Sequence, residues 1–109
     1  MTTYRRELIV ERIERDDRAT TVTLSGGLDL STIVELQEAL EAECSSTPSR
    51  LVIDLAAVEF IDSAALHLFI TMSNRLAAGG GSLEIVQVPE PLRRIFSITN
   101  LDTLLLAEQ

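Results

Sequence analysis

The chain has 109 residues, of which 46% are hydrophobic and 24% charged, and a formal net charge of -8 at pH 7. This length predicts a single domain over residues 1–109, and the negative charge disfavours direct nucleic-acid binding. The single cysteine, Cys44, excludes an internal disulfide and a multi-cysteine metal site. Because Met1–Arg6 is polar and no apolar run approaches ~18 residues, we expect a cytoplasmic protein without membrane insertion.

A β-hairpin is predicted at the start of the chain. Apolar and polar residues alternate over Leu8–Ile13, and Thr20–Leu24 is rich in β-branched residues. Asp16-Asp17 between them predicts a turn, and Gly26-Gly27 is expected to end the second strand.

The first helix is predicted to follow Ser31-Thr32. Thr32 and Glu35 have the spacing of a capping box, in which each side chain bonds the other residue's N–H. Apolar residues then recur at helical spacing, namely Ile33, Leu36, Ala39 and Leu40. Ser45–Ser49, with Pro48, predicts a loop.

The middle of the chain predicts a buried strand followed by a helix. Leu51–Leu55 is apolar except for Asp54, which is typical of a central strand, and Ala56–Ile61 continues in extended or irregular form. A helix is predicted over Ser63–Ala78, with Gly79 as its C-terminal cap.

The remaining elements complete an alternating pattern. Ser82–Val88 predicts a strand, Pro89 or Pro91 opens a helix through Ile98, and Leu104–Leu106 predicts a last short strand. The order β-β-α-β-α-β-α-β predicts an α/β fold, with helices packed on a mostly parallel mixed sheet.

Catalytic machinery is hard to find in the sequence. His67 is the only histidine, and it follows Ser63 by four residues in the same predicted helix, where a Ser-His-Asp triad is difficult to build. No nucleotide-binding, zinc-protease or paired-cysteine motif is present, so we expect neither an enzyme nor a bound cofactor or metal. Asp29, Asp54 and Asp62 each lie near the C-terminal end of a predicted strand, where single carboxylates usually cap turns or helices.

Ser63 has two interpretations that the residues alone leave open. A serine at a helix start caps free N–H groups. It is also a suitable phosphoacceptor, because a phosphate adds about -1.5 to -2 charges near the positive end of the helix dipole, where the fold tolerates them. The same charge beside Asp62 would disrupt a close interface with an acidic partner.

The segment from Leu51 to Leu66 resembles the signature of the STAS domain family, and within it the bacterial anti-sigma factor antagonists. The family pattern is an apolar strand, an Asp, and then Phe-apolar-Asp-Ser-x-Gly-Leu, which Phe60–Leu66 follows closely. Leu24–Asp29 resembles the upstream Leu-x-Gly-Glu-Leu-Asp, and the helix Pro91–Ile98 fits the family's layout. The resemblance covers nearly the whole chain and implies a single STAS-like domain.

The resemblance implies a partner-switching cycle without a cofactor. The unphosphorylated protein would bind an anti-sigma factor, which is a serine kinase that phosphorylates Ser63, and a serine phosphatase would restore binding. Partner-binding or phosphosite-flanking roles are implied for the neighbouring residues, which are Asp29, Asp54, Asp62, Ala64 and Ala65.

Two residues depart from the family pattern. Ala65 stands where the family has Gly, and a methyl group beside the phosphoacceptor would obstruct a closely approaching kinase. Gly27 stands where the family has Glu, which removes a charge next to Asp29. A constitutive STAS scaffold or transporter-associated interaction module, without a phosphoswitch, is therefore the alternative.

Overall fold

The computed structural model describes residues 7–16, 18–44 and 50–98. In this part of the chain, four strands and three helices follow one another in the order β-β-α-β-α-β-α. The strands are β1 (Leu8–Arg15), β2 (Thr20–Leu28), β3 (Arg50–Ile61) and β4 (Ser82–Val86). The helices are α1 (Ile33–Cys44), α2 (Ser63–Ala78) and α3 (Glu90–Ile98).

The four strands form one mixed sheet in the order β1-β2-β3-β4. β1 pairs antiparallel with β2, while β2 with β3 and β3 with β4 are parallel pairs. Helices α1 and α2 make the crossovers between the parallel strands, as such connections require. The predicted fold is confirmed through α3, and the predicted strand Leu104–Leu106 lies outside the described residues.

The turn of the predicted hairpin is built around Asp16. Its Oδ1 accepts hydrogen bonds from the N–H groups of Arg18 and Ala19 at 2.7 and 2.8 Å. These bonds, that of Arg18 first, hold the pKa of the Asp16 carboxyl below its ordinary value. Asp17, the second residue of the predicted turn, lies outside the described residues.

Alternation along the strands determines which face of the sheet is buried. Val22 and Leu24 of β2 are fully buried, and the polar residues that alternate with them are half-buried, namely Thr21, Thr23 and Ser25. The buried face joins the apolar sides of all three helices in one core cluster, which includes Leu36, Leu40, Leu51, Ile53, Leu55, Phe69, Met72, Ile85, Leu92 and Phe96. The helices therefore cover one face of the sheet.

β2 does not end at Gly26-Gly27, and the sequence-based boundary there is wrong. The strand continues to Leu28, with shifts of register against β3 on either side of Gly26. Gly26 has φ +89°, a left-handed conformation that favours glycine, and a Cβ at this position would lie 1.8 Å from the carbonyl oxygen of Glu7. The glycine thus permits a close approach of two backbones instead of stopping the strand.

The end of α2 is a Schellman motif. Gly79 is the C-cap as predicted, but the left-handed residue is Gly80, with φ +85°. The N–H of Gly81 donates to the carbonyl of Leu76 at 2.8 Å, and that of Gly80 donates to Ala77 at 3.0 Å.

We expect Gly26→Ala to lower the free energy of unfolding by more than about 2 kcal/mol, because the new Cβ collides with backbone in a left-handed conformation. Gly79→Ala is the matched control, since its Cβ would lie at an ordinary 3.6 Å from the Leu76 oxygen with φ -94°. Urea denaturation of both variants measures the difference, and equal losses would contradict this account of Gly26.

Candidate functional site

Asp62, and not Ser63, is the N-cap of α2. Its backbone is extended, with φ -122° and ψ -177°, and its Oδ1 accepts hydrogen bonds from the N–H groups of Ala64 at 3.0 Å and Ala65 at 3.3 Å. These donors are among those that a helix start leaves without partners. The interpretation of Ser63 as the cap is therefore wrong.

The second carboxylate oxygen of Asp62 connects the site to the neighbouring turn. Oδ2 accepts a hydrogen bond from the N–H of Leu30 at 3.0 Å, and the backbone N–H of Asp62 donates to the carbonyl of Leu28 at 3.0 Å. Since β2 and β3 are parallel, both strands end at this edge of the sheet. The structure thus brings together two of the predicted acids, Asp29 and Asp62.

Asp29 is 7% exposed and organises the turn between β2 and α1. Its Oδ1 accepts hydrogen bonds from the backbone N–H and the hydroxyl of Ser31, at 2.9 and 2.6 Å. Its carbonyl accepts from the N–H of Thr32 at 3.0 Å. Asp29 therefore shapes the backbone that holds Leu30 against Asp62.

The predicted capping box of Thr32 and Glu35 is not formed. The Thr32 hydroxyl accepts from the N–H of Asp29 at 3.1 Å and donates to the carbonyl of Gly27 at 2.9 Å. Thr32 is 2% exposed, so its hydroxyl satisfies buried backbone groups of the preceding turn instead of the helix start.

Ser63 is exposed as the first residue of α2. Its hydroxyl makes no hydrogen bond with the residues that the structure describes, because Asp62 already satisfies the nearby N–H groups. Ala64 is half-buried and Ala65 is fully buried. The Ala65 methyl group thus packs in the core and does not lie on the surface that a kinase would meet.

Asp54 lies apart from these residues. It was expected near the end of its strand, but β3 continues for seven more residues to Ile61, so that placement is wrong. At a rise of about 3.3 Å per residue, Asp54 is roughly 20 Å from the β3 end that leads into Ser63. Its Oδ1 accepts a hydrogen bond from the N–H of Ala56 at 2.9 Å, beside an irregularity in the strand pairing.

Two exposed apolar residues, one in the turn before α1 and one in the first turn of α1, were not predicted from the sequence. Leu30, whose N–H is bound by Asp62, is 74% exposed, and Val34 in the first turn of α1 is 63% exposed. The exposure of Val34 could have been predicted, because this residue falls outside the apolar stripe of Ile33, Leu36 and Leu40. We call Ser63, Leu30 and Val34 the exposed patch.

The described residues contain neither a candidate metal site nor a candidate membrane span. Within 7–16, 18–44 and 50–98, no three His, Cys, Asp or Glu side chains are grouped so that they could hold a metal ion. No helix in these ranges combines the length and the apolar character needed to cross a membrane.

We expect Asp62→Ala to lower the free energy of unfolding by about 1–2 kcal/mol, because an N-cap acceptor is lost. Ser63→Ala, one residue away, should change it by less than about 0.5 kcal/mol, because this hydroxyl caps nothing. Thermal or urea unfolding of the two variants tests the assignment, and a larger loss from Ser63→Ala would reverse it.

Comparison with known proteins places the chain in a family. The family model described as "Mlab, STAS domain" matches residues 11–107. The chain is 34% identical over 98 residues to the anti-sigma-B factor antagonist of Staphylococcus epidermidis, which covers 90% of each protein. It is 30% identical over 89 residues to the anti-sigma-B factor antagonist of Staphylococcus aureus strain NCTC 8325, which covers 82% of each.

Solved structures agree with this assignment. An anti-sigma factor antagonist from Mycobacterium paratuberculosis superposes with a TM-score of 0.82 at 30% identity, covering 94% of this chain and 87% of that one. SpoIIAA in its unphosphorylated form superposes with a TM-score of 0.75 at 16% identity, covering 90% and 88%, a likeness of fold alone. The chain belongs to the STAS domain family.

Proposed function

We propose that this protein is an anti-sigma factor antagonist of the bacterial cytoplasm. It binds a cognate anti-sigma factor and thereby releases the sigma factor that the anti-sigma factor holds. The anti-sigma factor acts as a serine kinase on Ser63, phosphorylation ends the interaction, and a serine phosphatase restores it. The names of the relatives at 34% and 30% identity support the antagonist role.

The observation that carries the proposal is the division of roles between Asp62 and Ser63. Asp62 caps α2, whereas Ser63 is exposed and has no hydrogen bond to a described residue. A phosphate on Ser63 therefore removes no bond on which the fold depends. It adds about -1.5 to -2 charges to the surface, which is suited to a switch of binding that leaves the fold intact.

The exposed patch supplies a reason why such a charge would abolish binding. Leu30 and Val34 are exposed, so a partner that covers them would remove apolar surface from water and stabilise the complex. The binding energy of an interface is concentrated in a few side chains. A partner that covers them would also cover the position next to Asp62. Burying an unpaired phosphate there carries a large desolvation penalty.

We expect Ser63→Asp to weaken binding to the anti-sigma factor by at least about tenfold, because a fixed negative charge stands beside Asp62. Ser63→Ala is the matched control, and it should bind as the unmodified protein does while being resistant to phosphorylation. Isothermal titration calorimetry against each kinase-type anti-sigma factor encoded in the same genome measures both. Incubation with the same kinase and ATP, followed by mass spectrometry, maps the phosphate.

Two results would contradict this mechanism. Equal affinity of Ser63→Asp and the unmodified protein would exclude an electrostatic switch at this position. A phosphate that maps elsewhere, or none with any cognate kinase, would favour the alternative of a constitutive scaffold or transporter-associated module.

We expect the double variant Leu30→Ser/Val34→Ser to lose about tenfold or more in affinity while keeping its stability, since both side chains are already exposed. Ile98→Ser is the matched control, because Ile98 is also 74% exposed but lies at the end of α3. The same calorimetry compares them, and equal effects of the two changes would remove the exposed patch from the interface.

A further inference from the structure

The outward side of α2 presents Ser63, His67 and Thr71 at successive turns. All three are exposed, and they are spaced by four residues. Side chains four apart on a helix are neighbours, with Cβ atoms about 5–6 Å from each other. His67 is the only histidine among the 109 residues, and no site residue described above makes use of it.

His67 is also the basic side chain on α2 that is nearest in sequence to Ser63. The only other basic residue of this helix is Arg75, twelve residues after Ser63, and it donates a hydrogen bond to Glu41 of α1 at 3.1 Å. Asp62 offers a phosphate on Ser63 only repulsion, and its Oδ1 already accepts from the N–H groups that begin the helix.

The acids of α1 do not compete for His67. Glu41 faces α2 and accepts hydrogen bonds from Gln37 and Arg75, and these bonds, that of Gln37 first, hold its pKa below the ordinary value. Glu35 and Glu38 lie about 100° or more around the helix from Gln37, which bonds to the α2-facing Glu41. Glu43 is buried and accepts hydrogen bonds from Arg15 of β1.

The acids of β3 and β4, the two strands that contact α2, are directed away from it. Glu84 of β4 lies between the buried residues Leu83 and Ile85, so its side chain is on the opposite face, where it binds Arg50 at 2.9 Å. Successive side chains on a strand point to opposite faces, and the same rule applies to the two acids next to buried residues on β3, Asp54 and Glu59. Asp29, in the neighbouring turn, is buried and bonded to Ser31.

We infer that His67 is the counter-ion of phosphorylated Ser63, and that it holds the phosphate along the outer side of α2, away from Asp62. This inference rests on the proposed function, because it requires a phosphate on Ser63. In the unphosphorylated protein the serine is neutral, so the pairing arises only after modification. His67 is thus a positioning residue for the modified state.

The pairing makes the charge of the modified site depend on pH near neutrality. A phosphoserine loses its second proton near pH 6, and histidine is the side chain type whose charge changes in the physiological range of pH. Each charge stabilises the other. The phosphate dianion and the imidazolium should therefore coexist over a wider range of pH than they would if the two groups titrated independently. By linkage, the two titrations must move by matching amounts in opposite directions.

The test uses phosphoserine installed at position 63 during translation, so that no kinase is needed. We expect the titration midpoint of the His67 ring resonances to rise by about 0.5 pH unit on phosphorylation, and that of the ³¹P resonance to be lower by a similar amount than in His67→Gln. A ring midpoint that is unchanged by the phosphate would overturn the inference.

A matched variant distinguishes direct pairing of His67 with the phosphate from the weaker effect of a histidine elsewhere on the same helix. In His67→Gln/Thr71→His the histidine moves along the same exposed side to a position eight residues from Ser63. We expect most of the shift to disappear, and an equal shift there would overturn the inference. Loss of anti-sigma factor binding by the same phosphoprotein tests the proposed function independently, so either idea can fail while the other stands.

Discussion

The structure around the site depends on the hydrogen bonds of one aspartate, Asp62. Every polar group of this residue is used, by the backbone of Leu28, Leu66, Leu30, Ala64 and Ala65. One residue therefore ends β3, begins α2 and holds the turn that leads into α1. Parallel strands make this possible, because their carboxyl ends meet at one edge of the sheet. Loss of the carboxylate at position 62 would remove the bonds to Leu30, Ala64 and Ala65, and would therefore loosen the start of α2 and the neighbouring turn together.

This arrangement determines what can happen at Ser63. A serine at the N-cap would use its hydroxyl oxygen as the acceptor for the helix N–H groups, so modification of that oxygen would act on the cap itself as well as on surface charge. Ser63 is one residue further on, where its hydroxyl is exposed and caps nothing. The residue that caps the helix, Asp62, and the residue that would carry the phosphate, Ser63, are thus adjacent but distinct. This division of roles requires that Asp62 keep its capping bonds.

The sequence predicted the elements better than the details that link them. α2 has its predicted bounds of Ser63–Ala78, because apolar spacing and a terminal glycine both mark it. The end of β2 was misplaced, since Gly26 serves a close backbone approach that no local pattern reveals. The choice between Asp62 and Ser63 as cap needs backbone angles, and Thr32 was misassigned because its partners lie upstream. The exposure of Leu30 depends on tertiary contacts in the same way.

Burial within the motif Phe60–Leu66 also bears on how a partner would be chosen. Three of its residues are buried, namely Ile61, Ala65 and Leu66, Asp62 is engaged with backbone, and Ser63 alone is exposed. The motif can therefore hold the serine in position, but it offers a partner little else to recognise. Under the proposed function, discrimination among anti-sigma factors would come from exposed residues outside the motif, and Leu30, Val34 and His67 are three such residues. Substitution of Ala65 for glycine acts on the packing beneath the site and leaves that outer surface unchanged.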